Sequence, residues 1–74
     1  MPELPKLSGR EIIKILESLG FQVVRQKGSH IVLRKSHFGC VIPNHKEVAI
    51  GTLRCALKQA NISPEEFIKK YKNR

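Results

Sequence analysis

The residues best suited to chemistry lie in one short segment, Lys27-Gly28-Ser29-His30. Apolar runs flank it, residues 21–24 before and 31–33 after, and a glycine between two such runs predicts a β-hairpin. His30 would then begin the second strand. Histidine has an unperturbed pKa of about 6.5, so it can take or give a proton near neutral pH. The cations around it attract phosphate, which indicates chemistry on a nucleic acid: Arg25, Lys27, Arg34 and Lys35.

The charge of the chain supports the same interpretation. Its 74 residues include 14 Lys and Arg but 6 Glu and no Asp, for a formal net charge of +8. Such an excess creates a field that favours a polyanion, whereas surfaces built for solubility usually intersperse both signs. We therefore expect contact with nucleic acid, although an acidic protein surface would satisfy the same field. At this length we expect one domain, near the lower size limit for a protein that folds without disulfide bonds or bound metal ions.

The residue types also predict a compartment. The first six residues include Pro2, Glu3, Pro5 and Lys6, so we expect no apolar secretory leader. No apolar run approaches the length of a membrane span, and we predict a cytoplasmic protein with no membrane contact. In that reducing environment Cys40 and Cys55 should be free thiols, both packed as small apolar groups, with Cys55 against the sheet.

Local signals predict the order α-β-β-β-α-α. Ser8 and Glu11 form a capping box that begins the first helix, and Gly20 is placed to end it. Strands are predicted over residues 21–26, 30–35 and 39–42. A second helix runs from about residue 51 to 60, with Asn61 able to cap its end, and a third over 64–72 has Ser63 as N-cap. Residues 1–7 form a lead-in, and residues 8–74 form a single α+β domain.

This order predicts a three-stranded antiparallel sheet with helices packed on one face and the other face exposed. The register depends on the first loop, because residues directly opposite each other share a face. An odd-length loop over residues 27–29 keeps the apolar residues 21, 23, 31 and 33 together. It places His30 and Arg34 on the exposed face, with Gln22, Val24, Gln26 and Val32.

Several short sequence motifs resemble those of the HicA toxins of bacterial and archaeal toxin–antitoxin pairs, and the resemblance covers about residues 8–63. They are Gly20-Phe21, Lys27-Gly28-Ser29-His30, a short strand ending in Pro43 and followed by His45, Gly51-Thr52-Leu53-Arg54, and Leu57-Lys58-Gln59-Ala60. Gly-Ser-His alone is a weak signal, but with the two later strings the pattern is fairly specific. The chain differs by a longer lead-in and by the helix after Ile62.

The resemblance implies a fold like a double-stranded-RNA-binding domain and the role of toxin in a type II toxin–antitoxin system. It implies a metal-independent endoribonuclease that cleaves mRNA and is inhibited by a cognate HicB-type antitoxin. The catalytic histidine of the family falls on His30. The alternative interpretation is that His30 is a polar strand residue without a catalytic role and that the turn before it is an ordinary one. Two further functions remain open: a non-catalytic RNA-binding module that uses the same basic sheet face, and a domain that binds an acidic protein.

Candidate RNA contacts surround this histidine or lie further along the chain. They are Lys27, Gly28, Ser29, Arg34, Lys35, His45, Arg54 and Lys58. Glycine lets the backbone approach a phosphate, and serine offers a hydroxyl. His45 can serve as an acid or a phosphate contact, or be a loop histidine without a role. Arg54 and Lys58, four residues apart, can track an RNA backbone or form a solvated helix face.

A zinc site is the remaining chemical possibility that the residue types raise. Its ligands would be His37, Cys40, His45 and Cys55, but their spacing is not that of a zinc finger or ribbon. Two of these ligands would have to come from a strand and from the interior of a helix. We therefore predict no metal site and no cofactor.

Overall fold

The computed structural model describes residues 3–73, so Met1 and Pro2 of the predicted lead-in lie outside the described residues. The elements within that range are α1 (Gly9–Ser18), β1 (Gln22–Lys27), β2 (His30–Lys35), β3 (Phe38–Pro43), α2 (Ile50–Gln59) and α3 (Pro64–Lys72). The strands form an antiparallel sheet in the order β1-β2-β3. This architecture confirms the predicted α+β fold.

The signals at the helix ends act as predicted. The Ser8 hydroxyl accepts a hydrogen bond from the Glu11 N–H at 3.1 Å, and the Glu11 carboxylate accepts one from the Ser8 N–H. Gly20 adopts a φ of +100°, and the Phe21 N–H then bonds to the Leu16 carbonyl at 3.0 Å. A left-handed residue after the helix, followed by this bond, closes α1 as a Schellman motif. Asn61, with φ of 59°, ends α2 in the same way.

The hydrophobic core lies between the helices and one face of the sheet. That face contributes Ile31, Leu33, Cys40 and Ile42, all buried. Phe67 of α3 is fully buried in the same cluster. Leu4 and Leu7 of the predicted lead-in are buried there too, and Leu7 forms a β-bridge with Val48. These early residues therefore belong to the packed structure.

The register of the first hairpin differs from the predicted one. Lys27 pairs directly with His30, so the turn has two residues, Gly28 and Ser29, and the predicted three-residue loop is wrong. A β-bulge between Val23 and Arg25 supplies the missing residue, because Val24 is inserted opposite Val32. The bulge lets Val23 pair with Leu33 on the covered face even though the turn is short.

The bulge also changes which polar residues share a face with His30. Gln26, predicted on the exposed face, pairs with Ile31 and so belongs to the covered face. Arg25 pairs with Val32, and Lys27 pairs with His30, so both cations lie on the exposed face. We call this exposed side of the sheet the open face.

The prediction that both thiols are packed is half right. Cys40 is a buried free thiol, and desolvation by burial raises its pKa from 9.0 to about 11. Cys55 is exposed, so its predicted packing against the sheet is wrong. The helix α2 buries Leu53, Ala56 and Leu57. At 100° per residue, Cys55 lies on the outer side of α2.

None of the helices within residues 3–73 has the length and apolar character to cross a membrane.

Candidate functional site

The open face consists of three rows that cross the three strands. Cross-strand partners define them: Lys27–His30–Pro43, then Arg25–Val32–Val41, then Gln22–Arg34–Gly39. Neighbouring rows are two residues apart along β2, a spacing of about 6.6 Å. No Asp or Glu occupies any of these positions, so the cations Arg25, Lys27 and Arg34 give the face a positive field.

His30 lies at the end of this face, next to the first turn. It is exposed, and no hydrogen bond within residues 3–73 engages its ring. Lys27 lies directly opposite it on β1, and Pro43 lies opposite it on β3. The imidazole is therefore solvent-accessible, as the sequence predicted, and it stands beside Lys27, which the sequence had placed in the loop.

The turn itself is held in place by both neighbouring segments. Gly28 has a φ of +59° at the first of two central positions, the pattern of a type II′ turn. The Gln26 side-chain amide donates to the Gly28 carbonyl at 3.3 Å. The Ser29 carbonyl accepts the Asn44 N–H at 2.6 Å, which joins the turn to the loop after β3. No side chain lies within 4 Å of the position of a Cβ at Gly28, so the backbone there is open to a ligand.

His45 lies at the same end of the sheet. It follows Pro43, the partner of His30, by two residues, so the two histidine Cα atoms are within about 13 Å of each other. Its carbonyl accepts the Gly9 N–H at 2.9 Å, which ties this loop to the start of α1. His45 lines an open groove with Ser8, Arg10, Asn44 and Lys46. A second imidazole and two further cations thus stand near the His30 turn.

Three predicted RNA contacts lie elsewhere. Lys35 alternates with Ile31 and Leu33, and its ammonium donates to the Leu19 carbonyl at 2.8 Å. This bond caps the carboxyl end of α1, where a cation interacts favourably with the helix dipole. Arg54 and Lys58 lie on α2 and line a groove with the start of α3. The helices cover the opposite side of the sheet, so neither residue shares the open face with His30.

Arg25 is the residue that the sequence-based candidate list missed. The predicted odd loop gave no reason to place it beside His30, whereas the bulge puts it opposite Val32 in the row next to His30. A bulge leaves no clear mark in a run such as Gln22-Val23-Val24-Arg25. Only the general density of cations in this segment pointed to it.

The described residues also bear on metal binding. Within residues 3–73, no three His, Cys, Asp or Glu side chains are grouped so as to hold a metal ion. The four residues considered for zinc are dispersed: His37 in the β2–β3 turn, Cys40 in the core, His45 in a loop, and Cys55 on the outer side of α2.

Comparisons with known proteins identify the family. The sequence model of a family described as "HicA toxin of bacterial toxin-antitoxin" matches residues 9–62. This span contains α1, the whole sheet with His30, and α2, and it ends before α3. No curated protein and no solved structure matches the chain. Because the match covers well over half of its residues, the chain belongs to the HicA toxin family of bacterial toxin–antitoxin systems.

Proposed function

We propose that this toxin is an endoribonuclease that cleaves mRNA with His30 as its catalytic residue and without a metal ion. It would act in the cytoplasm as the toxin of a type II pair and be inhibited by a HicB-type antitoxin. The observation that carries the proposal is the position of His30: an exposed imidazole, directly opposite Lys27, at the edge of a face with cations and no acidic residue.

The chemistry follows from these groups. The neutral imidazole of His30 takes the proton of a ribose 2′-hydroxyl. The 2′ oxygen then attacks the adjacent phosphorus, and the bond from phosphorus to the 5′ oxygen breaks. Lys27 and Arg25 stabilise the negative charge that builds on the phosphate oxygens. The products are a 2′,3′-cyclic phosphate and, once the leaving oxygen gains a proton, a 5′-hydroxyl end.

The remaining requirement is a donor for that last proton. His45 is the second imidazole at this end of the sheet, and its loop is fixed to the His30 turn by the bond from Asn44 to Ser29. Protonated His45 can supply the proton or hold a phosphate. If it is the donor, His45→Ala lowers the cleavage rate at saturating RNA. If it only holds a phosphate, the variant raises KM and leaves the rate at saturation unchanged.

The decisive experiment compares wild type with His30→Ala and His37→Ala. His37 is a matched control, because it is also an exposed histidine but lies in the turn at the other end of β2. Purified RNA is incubated with each protein in excess chelator, and the cleaved ends are analysed. We expect wild type and His37→Ala to yield cyclic-phosphate ends, and His30→Ala to be slower by about 10²–10⁴-fold.

The alternatives give different results in the same assay. If wild type binds RNA but leaves it intact with and without divalent cations, the protein is a non-catalytic RNA-binding module. If His30→Ala cleaves as fast as wild type, His30 is not the base. Cleavage that the chelator abolishes would contradict the metal-independent mechanism. If wild type binds no RNA at low salt, the third function is favoured, in which the positive charge serves to bind an acidic protein.

A further inference from the structure

Two of the three paired residues in the middle row of the open face, Val32 and Val41, are apolar, which is unusual for a surface that faces solvent. Val41 is 41% exposed and pairs with Val32 on β2. Val24, the extra residue of the bulge, is 54% exposed and stands beside Arg25 opposite Val32. We call Val24, Val32 and Val41 the valine row. In a sheet with one solvated face, the outward positions are ordinarily polar.

The valine row lies between two rows that carry charge. His30 and Lys27 lie on one side at about 6.6 Å, and Arg34 lies on the other at the same spacing. The distance along β2 from His30 to Arg34 is therefore about 13 Å. An RNA strand that places one phosphate at His30 and a later phosphate at Arg34 lays the nucleosides between them over the valines. Charged positions on either side of an apolar centre match the alternation of phosphate and nucleoside along such a strand.

Charge complementarity identifies the occupant. The valine row is flanked by Arg25, Lys27 and Arg34, with no carboxylate at any position of the open face. An apolar protein segment would fit the valines but would leave these cations to be desolvated. Single-stranded RNA would cover the valines with a base and ribose and pair the flanking cations with its phosphates.

We propose that the valine row is a nucleotide subsite, in which an RNA base and ribose pack next to the phosphate that is cleaved beside His30. This inference rests on the proposed function for its substrate. It adds binding residues that carry no charge and no hydrogen-bonding group. They would contribute affinity that does not depend on salt, in contrast to the phosphate contacts.

The test compares Val41→Thr with Val23→Thr. Val23 is a matched control, because it is 44% exposed but pairs with Leu33 and so belongs to the covered side of the sheet. Both changes keep a β-branched side chain and replace one methyl group by a hydroxyl. Binding of a fluorescent single-stranded oligoribonucleotide is measured by anisotropy over a range of salt, in the His30→Ala background so that the probe stays intact. Thermal unfolding of each variant verifies the fold.

We expect Val41→Thr to weaken binding about fourfold at every salt concentration, leaving the salt slope unchanged. Val23→Thr should bind within about 1.5-fold of its parent, since it removes no contact with RNA. Val41→Phe should bind about fivefold tighter or more, because base stacking on an aromatic ring is stronger than packing on valine. A purely structural role for Val41 does not predict this gain.

Equal affinities for Val41→Thr and Val23→Thr, or no gain from Val41→Phe, would overturn the subsite. So would a Val41 variant with unchanged RNA affinity and weakened binding to an acidic protein partner. The outcome is separate from the proposed function. If the valine variants all bind RNA with the same affinity but wild type cleaves RNA, only the subsite is rejected. If wild type never cleaves RNA, the proposed function is rejected, and the affinities of the valine variants still decide whether the subsite exists.

Discussion

The salt dependence of RNA binding offers a quantitative check on the open face. Each phosphate contact to a single-stranded nucleic acid contributes about −0.7 to the slope of log K against log salt concentration. Three cations lie on this face: Arg25, Lys27 and Arg34. With one phosphate contact from each, the expected slope is about −2.1. Affinity should then fall about 18-fold between 50 and 200 mM salt.

Arg25→Ala is the informative perturbation, because only the bulge puts Arg25 on this face. Loss of one contact changes the slope to about −1.4, so the same salt increase costs about sevenfold in affinity. Arg54→Ala is the matched control: it also replaces an exposed arginine, but one on α2, in the helix layer. Its slope should remain at about −2.1.

The assay is fluorescence anisotropy with one labelled oligoribonucleotide and a titration at each of several salt concentrations. A slope unaffected by Arg25→Ala but reduced by Arg54→Ala would show that RNA follows the helix layer, and the reasoning from the register would be wrong. A wild-type slope steeper than about −4 would also refute it, since the open face has too few cations to account for that many contacts.

Further predictions concern the fold and the thiols. Phe67→Ala should lower the free energy of unfolding, measured in urea, by about 3–5 kcal/mol, because Phe67 is fully buried. The control Lys70→Ala should lower it by less than about 0.5 kcal/mol, because Lys70 is exposed. A loss below about 1 kcal/mol for Phe67→Ala would show that α3 is dispensable to the core. Ser36 has a φ of 55°, so Ser36→Gly should raise that free energy by about 1 kcal/mol, and a decrease would contradict the strain. A thiol reagent should label Cys55 in the native protein and Cys40 only after unfolding; labelling of both native thiols would argue against the core as described. Because burial raises the pKa of Cys40 from 9.0 to about 11, the unfolded chain loses this proton first, and the free energy of unfolding should fall between pH 9 and 11 by up to about 3 kcal/mol. Cys40→Ala should not show this fall in the free energy of unfolding. Equal pH profiles of unfolding for wild type and Cys40→Ala would contradict the assignment of the fall to the Cys40 thiol.

Most of the secondary structure was predictable because its signals are local. Ser8 and Glu11 are three residues apart and bond to each other as expected. Gly20 ends α1 with a positive φ. The α2 helix begins at Ile50, one residue before its predicted start, and β2 has its predicted limits. In each case the partners lie within one helical turn or one hairpin, so the residue types alone specify the conformation.

Side-chain neighbours beyond that range were harder to predict. Lys35 is a predicted RNA contact, and its ammonium caps α1 through the Leu19 carbonyl, a bond that local patterns do not reveal because the two residues are 16 positions apart. Cys55 was expected in the core but lies on the outer side of α2. Leu4 and Leu7 were expected in a lead-in but are buried, since Leu7 pairs with Val48 across the molecule.

The amino-acid sequence by itself determined the order of elements, the exposed strand position of His30 and the excess of positive charge. Hydrogen bonds and apolar spacing over a few residues are sufficient for that. Tertiary structure alone decided which cations accompany the histidine. One inserted residue, Val24, reverses the alternation of the strand, so that Val23 pairs with Leu33 while Arg25 and Lys27 lie on the open face. That pairing is set by the register of the whole sheet, so no local pattern in the chain could reveal it.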